Sequence, residues 1–166
     1  MKSLLNNMSS YRGIFLSLLI AFILNMTPLR SNPLLPDFVL IVLVFWILYF
    51  PETVNLLTAF LLGLFMDVQS SNLLGINALG YIIAGFLIVF WNRRILSASP
   101  IWQVINIFQV VLLVHISIAI TMWILVPSFV FSSLDIFLPA TFEALLWPLI
   151  KRLLVNQGPF ISRNKP

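Results

Sequence analysis

Long apolar runs that contain almost no charge constrain this chain more than any other feature of its sequence. Of its 166 residues, 61% are hydrophobic and only 8% are charged, and the mean hydropathy is +1.08. Soluble domains carry about 25% charged residues, so this composition is typical of a protein that crosses a membrane several times. We therefore predict an all-α, polytopic membrane protein that forms a single integral membrane domain over residues 1–166.

Prolines and polar turns divide the chain into six apolar segments that approach the ~20 residues needed to cross a bilayer. The predicted transmembrane helices cover residues 12–28, 35–50, 52–68, 75–91, 101–126 and 134–152, and residues 153–166 form a short basic cytoplasmic tail. Pro51 and Glu52 suit the first turn of the third helix. The charge-free parts of the second and third segments reach only about 21 Å each, so a re-entrant hairpin stays open as an alternative to two full spans.

The distribution of positive charge predicts the orientation of the chain. If the N-terminus is cytoplasmic, eight of the nine Lys and Arg residues lie on the cytoplasmic side, and only Arg30 lies outside. Both termini are then cytoplasmic, and Asp37, Asp67 and Asp135 lie near the outer face. The basic residues sit at the ends of apolar runs rather than on one exposed face, which argues against nucleic-acid binding.

Residues 63–79 place one carboxylate, Asp67, among small polar residues between two apolar runs. A charge at the centre of a transmembrane helix costs at least ~2.5 kcal/mol, so Asp67 needs an interfacial position or a partner. Its predicted role is structural, to satisfy backbone groups of the loop and helix ends, and the alternative is a conformational or partner-binding element. Gly75 permits close approach or a positive φ. We expect Asp67→Asn to fold nearly normally and Asp67→Leu to weaken complex formation.

The same region contains further signals for helix capping and helix packing. Ser71 or Asn72 is a candidate N-cap for the fourth helix. Two pairs of small residues, four apart on consecutive helices, predict close packing of the third helix on the fourth: Ala59 with Gly63, and Gly80 with Ala84.

Glu143 lies about halfway along the sixth predicted helix, and it is expected to face the interior of the bundle. Protonation or a hydrogen bond from another helix would satisfy it, and a structural contact is favoured over proton transport. We expect Glu143→Gln to retain function from about pH 6 to about pH 8. His115 is the other titratable side chain at mid-depth and a candidate partner. A polar stripe on the fifth helix predicts interhelical hydrogen bonds, with a ligand cavity as the alternative: Gln103, Asn106, Ser117 and Thr121.

The sequence contains no motif of a known catalytic or metal site. It has no cysteine and one histidine, and it lacks GxSxG, HExxH and a glycine-rich phosphate loop. We therefore expect no enzymatic activity, no cofactor and no bound metal. An intramembrane enzyme that acts through Glu143 and His115 is the least favoured of the functions considered.

Three motifs carry a resemblance to a known family. They are Pro36 and Asp37 before a long apolar run, Gly63 and Asp67 with Gly75, Asn77, Ala78 and Leu79 downstream, and Leu146, Trp147 and Pro148 before a basic cluster. In these motifs, in size and in segment order, the chain resembles the MreD family of rod shape-determining proteins over nearly its whole length. The resemblance makes these motif residues candidates for structural or partner-binding roles.

The resemblance implies a non-enzymatic scaffold of the cell-elongation machinery in the bacterial cytoplasmic (inner) membrane. The implied direct partner is MreC, with RodA, its class B penicillin-binding transpeptidase and, indirectly, MreB also involved. The implied role is to help organise lateral peptidoglycan synthesis. The family is also similar in architecture to the substrate-binding (S) components of energy-coupling-factor vitamin transporters. A vitamin-like binding component of an importer is therefore the alternative, with its pocket between the fifth-helix stripe and the loop at Asp67.

Overall fold

The computed structural model describes residues 2–26, 36–70, 73–126 and 132–155, and for residues 2–10 it describes the backbone alone. These residues form six helices: α1 (Lys2–Asn25), α2 (Phe38–Tyr49), α3 (Leu56–Gln69), α4 (Ile76–Ser97), α5 (Pro100–Leu125) and α6 (Ser133–Val155). The predicted all-α class is confirmed for the described part of the chain.

α2 is the centre of the bundle. Its sequence is apolar all round, which is the pattern of a helix enclosed on every side. Every residue from Val39 to Leu48 is buried, and α1, α4 and α6 all pack against this helix. The side chain of Asp37 caps α2 because its carboxylate accepts the backbone N–H of Leu40.

The other five helices surround α2. α3 packs on α4, α4 on α5 and α5 on α6, and together they form a continuous wall. α1 packs mainly on α2, and apolar grooves of ≈ 350 Å³ and ≈ 230 Å³ lie between it and α3 and α6, respectively. The bundle is therefore tightly packed on one side and grooved on both sides of α1.

The second and third helices are shorter than predicted. α4, α5 and α6 have the length and composition to cross a membrane. α2 and α3 have 12 and 14 residues, or about 18 Å and 21 Å, against a hydrocarbon core of ~30 Å. Pro51 and Glu52 lie in the preceding turn rather than in the first turn of α3. The reason is Asn55, whose side chain accepts the N–H groups of Leu57 and Thr58 and so begins the helix there.

Three other helix boundaries differ from the prediction. α1 begins at Lys2 rather than at residue 12 and ends at Asn25 rather than at residue 28. α4 continues through Arg93 and Arg94 to Ser97, because basic residues favour the C-terminal end of a helix dipole. α6 continues to Val155, beyond the predicted start of the tail at 153, and residues 156–166 lie outside the described part.

Two small residues on α4 contact different neighbours. A Cβ added at Gly85 would meet Leu56 of α3 and Ile47 of α2. A Cβ added at Gly80 would instead lie 2.9 Å from Ile118 of α5. The prediction that Gly80 packs on the third helix is therefore wrong, because five residues at 100° each place Gly80 and Gly85 about 140° apart around α4, facing different helices.

Candidate functional site

Asp67, near the end of α3, caps the beginning of α4. Its side chain is fully buried, and four donors approach it. Oδ1 accepts the backbone N–H (2.8 Å) and the side-chain Nδ2 (2.9 Å) of Asn77. Oδ2 accepts the N–H groups of Gly75 (2.8 Å) and Ala78 (3.3 Å). These backbone groups are donors that a helix leaves unpaired at its first turn, where the dipole also favours an anion.

Two glycines make this arrangement possible, and we call Gly63, Asp67, Gly75, Asn77 and Ala78 the capping unit. Gly75 has a φ of 103°, a conformation that L side chains rarely adopt. A Cβ at Gly63 would lie 2.3 Å from the Cα of Ala78 and 2.9 Å from the carbonyl oxygen of Asn77. The capping unit therefore locks the end of α3 against the beginning of α4. The predicted N-caps Ser71 and Asn72 lie outside the described residues, and the cap observed on α4 comes from Asp67.

A second set of polar side chains, all buried except for the partly buried His115, lies where the helices converge. We call it the central polar cluster: Asn25, Asp37, Tyr81, His115 and Glu143. Glu143 Oε1 accepts the backbone N–H of Asp37 at 2.7 Å and lies 3.2 Å from His115 Nε2. Because this oxygen already accepts one hydrogen bond, Nε2 of His115 is assigned as a second donor. The expected pairing of His115 with Glu143 is therefore present.

Asp37 is held by donors from three helices. Its Oδ1 accepts Nδ2 of Asn25 at 2.7 Å, as well as the capping N–H of Leu40 at 3.1 Å. Its Oδ2 accepts the hydroxyl of Tyr81 at 2.6 Å. The carbonyl oxygen of the Asn25 side chain accepts the N–H of Phe38, which fixes the orientation of that amide. This carboxylate therefore joins α1, α2 and α4.

α3 also reaches the central polar cluster. Nε2 of Gln69 donates to the backbone carbonyl of Asn25 at 3.3 Å, and Sδ of Met66 lies 3.7 Å from Nδ2 of Asn25. All six helices thus contribute to this cluster or contact it. Such hydrogen bonds are strong in surroundings of low dielectric constant. Removing one partner leaves a buried donor or acceptor unsatisfied, which lowers the stability of the folded state.

The polar stripe of α5 does not behave as predicted. Gln103 does make an interhelical contact, because its Oε1 accepts Nζ of Lys151 on α6 at 2.7 Å. The other three side chains hydrogen-bond to carbonyls of α5 itself: Asn106 to Trp102, Ser117 to Val114 and Thr121 to Ser117. Hydroxyls and short amides can return to a carbonyl three or four residues earlier, and here that local bond replaces the expected interhelical one.

The remaining motif residues have packing roles. Trp147 is buried, and its ring centroid lies 6.1 Å from that of Phe45 on α2. Pro148 is exposed and removes one hydrogen bond from α6. Pro36 is buried directly before the helix cap at Asp37.

Among the described residues there is no group of three His, Cys, Asp or Glu side chains placed to hold a metal ion. The hydrogen bonds of both clusters fix helix ends relative to one another. Sequence reasoning missed Asn25 and Tyr81, although a lone asparagine at the end of an apolar run is a signal that could have identified the first.

The model of the family described as "rod shape-determining protein MreD" matches residues 8–156 of this chain. The chain belongs to the MreD family. The rod shape-determining protein MreD of Haemophilus influenzae is 30% identical over 141 residues, which cover 81% of this chain and 83% of that protein. No solved structure matches.

The comparisons confirm the resemblance inferred from the sequence motifs. The part of the chain that matches the MreD family contains the whole capping unit and the whole central polar cluster. Membership associates the chain with the determination of rod shape, and its apolar helices fit a membrane protein. The two clusters are therefore the buried framework of an MreD-type helical bundle.

Proposed function

We propose that this chain is a non-enzymatic scaffold of the rod-shape machinery that binds MreC and helps to organise lateral peptidoglycan synthesis. The observation that carries the proposal is the central polar cluster. Its hydrogen bonds join six helices, and so build a rigid body whose outer helix faces are available to partners. RodA, its transpeptidase and, indirectly, MreB complete the proposed assembly.

We further propose that the chain lies in the bacterial inner membrane with both termini in the cytoplasm and that it crosses six times. Four basic residues support this orientation: Arg93 and Arg94 lie in the last two turns of α4, and Lys151 and Arg152 lie in the last turns of α6. These two helices run in the same direction, so the four charges gather at one end of the bundle. The capping unit then lies toward the outer face.

The vitamin-binding alternative has no specific observation in its favour. Its pocket was expected to use the polar stripe of α5, but three of those four side chains are satisfied by their own helix. The two grooves beside α1 have almost wholly apolar walls, whereas a vitamin site needs convergent polar groups.

Depletion of the chain in its own host tests the role in shape. We expect depleted cells to turn from rods into spheres and an intact copy to restore the rods. A copy with Glu143→Leu, which breaks the central polar cluster, should restore them poorly. The matched control is Leu145→Ala, on the lipid-exposed side of α6. Rods that keep their width and form during depletion would contradict the proposal.

Co-purification tests the partner. A tagged chain extracted in mild detergent should carry MreC, and chemical crosslinks mapped to individual helices should identify the contacting faces. If a tagged chain restores rod shape to depleted cells but purifies without MreC, scaffolding does not depend on this partner.

A further inference from the structure

The larger groove beside α1 has the properties of a binding site for hydrocarbon. Its α1 wall runs from Phe15 to Phe22, and its α3 wall runs from Thr58 to Phe65. Among the described side chains that line the groove, Thr58 carries the one polar group, a hydroxyl that lies 3.5 Å from Oδ1 of Asn55. The groove surface is therefore apolar.

The size of the groove suits a single hydrocarbon chain. It holds ≈ 350 Å³ and runs along α1 from Phe15 to Phe22, a length of ~10 Å. An extended polymethylene chain, whose carbons pack at about 4 Å, has a cross-section of roughly 20 Å² and needs roughly 200 Å³ over that length. A lipid acyl chain therefore fits this groove.

Helix geometry places a positive charge near one end of the groove. Arg12 lies one turn before Phe15 on α1, and at 100° per residue it is within about 20° of Leu19, which lines the groove. Its side chain is exposed, and no described carboxylate lies within salt-bridge distance of it. Tyr11, also exposed, precedes it. An arginine at the mouth of an apolar groove suits a phosphate attached to a hydrocarbon chain.

We propose that the groove between α1 and α3 binds one acyl chain of an anionic phospholipid, whose phosphate pairs with Arg12. The acyl chain fills the space that separates α1 from α3, so the lipid completes the ring of helices around α2. A net negative headgroup is preferred, because the ammonium group of a zwitterionic lipid offsets the attraction of its phosphate to a guanidinium.

Native mass spectrometry of the purified full-length chain tests this proposal. The probes are dioleoylphosphatidylglycerol and dioleoylphosphatidylcholine, added to delipidated protein in dodecylmaltoside micelles. We expect one phosphatidylglycerol to bind per chain, with about fivefold preference over phosphatidylcholine, and Arg12→Gln should remove that preference. Equal binding of the two lipids by the unaltered chain would overturn the assignment of an anionic headgroup.

Filling the groove tests the position of the acyl chain. Thr58→Phe should weaken lipid binding by more than about tenfold, because a benzyl group occupies the space of several methylenes. Thr58→Val leaves the groove open, and Leu61→Phe adds the same group on the exposed side of α3; both should bind lipid normally. If Thr58→Phe aggregates, Leu62→Trp replaces it. Unchanged binding in a folded groove-filling variant would overturn the proposal.

Discussion

Replacing Asp67 with asparagine tests whether the capping unit needs four acceptor positions. All four groups that approach the carboxylate are donors, whereas an amide offers one oxygen and one NH₂ group. If the oxygen faces Gly75 and Ala78, the NH₂ group faces the backbone N–H of Asn77. The side chain of Asn77 can turn to present its own oxygen, but that backbone donor cannot. Even the better orientation therefore leaves one buried N–H without an acceptor.

The expected cost follows from these contacts. A buried donor without an acceptor costs ~1 to 3 kcal/mol, and loss of a negative charge at a helix N-terminus costs ~0.3 to 1 kcal/mol. Asp67→Asn should therefore lower the free energy of unfolding by about 1 to 4 kcal/mol. Asp67→Leu should cost more, because it strips all four donors of their acceptor. This expected loss differs from the prediction from sequence that the Asp67→Asn variant folds nearly normally.

Unfolding of the purified chain in detergent micelles by increasing sodium dodecyl sulfate, followed by circular dichroism, measures this loss. The matched control is Glu52→Gln, the same chemical change at an exposed carboxylate, which should shift the free energy by no more than ~0.5 kcal/mol. If Asp67→Asn unfolds at the same detergent fraction as Glu52→Gln, the four-donor reasoning is refuted.

Substitutions at three further positions test the packing and the polar contacts by the same unfolding measurement. Gly63→Ala should cost more than ~3 kcal/mol, since its Cβ would overlap the backbone of Ala78; an unchanged midpoint would mean that α3 and α4 separate easily. Glu143→Gln should keep the free energy of unfolding within ~1 kcal/mol of that of the unaltered chain, because the amide oxygen still accepts the N–H of Asp37. Glu143→Leu should lower it by ~3 to 5 kcal/mol. Equal losses in the two variants would show that the charge of Glu143 matters. Asn55→Ala should lower the free energy of unfolding by ~1 kcal/mol, because it removes the N-cap of α3. An unchanged free energy would show that this cap does not stabilise the bundle.

Sequence reasoning succeeded where the signal is local. Apolar runs and the prolines between them predicted six helices in the right order, because each run is long and apolar enough to form a helix and prolines favour the ends of helices. The spacing of Gly63, Asp67 and Gly75 marked the capping unit, since a lone carboxylate and glycines close together require a specific backbone arrangement. His115 was correctly chosen as a candidate partner of Glu143 on depth alone.

The failures arose where two local signals competed or where contacts join distant parts of the chain. Pro51 and Asn55 both mark helix beginnings, and the hydrogen bonds of the asparagine decided the outcome. Asn25 and Tyr81 are 12 and 44 residues from Asp37, and no periodicity indicates that they meet. Ser117 could bond within its own helix or across to another, and only the packed structure distinguishes these options.

The enclosure of α2 has a consequence for how the chain is made. Asp37 at the beginning of α2 accepts the hydroxyl of Tyr81 and donates its backbone N–H to Glu143. Both of those residues leave the ribosome after α2 does. Until α4 and α6 are synthesised, the polar groups at the beginning of α2 therefore lack two of the partners that they have in the folded bundle. We expect the bundle to fold cooperatively, because its last helix completes the polar contacts of its second.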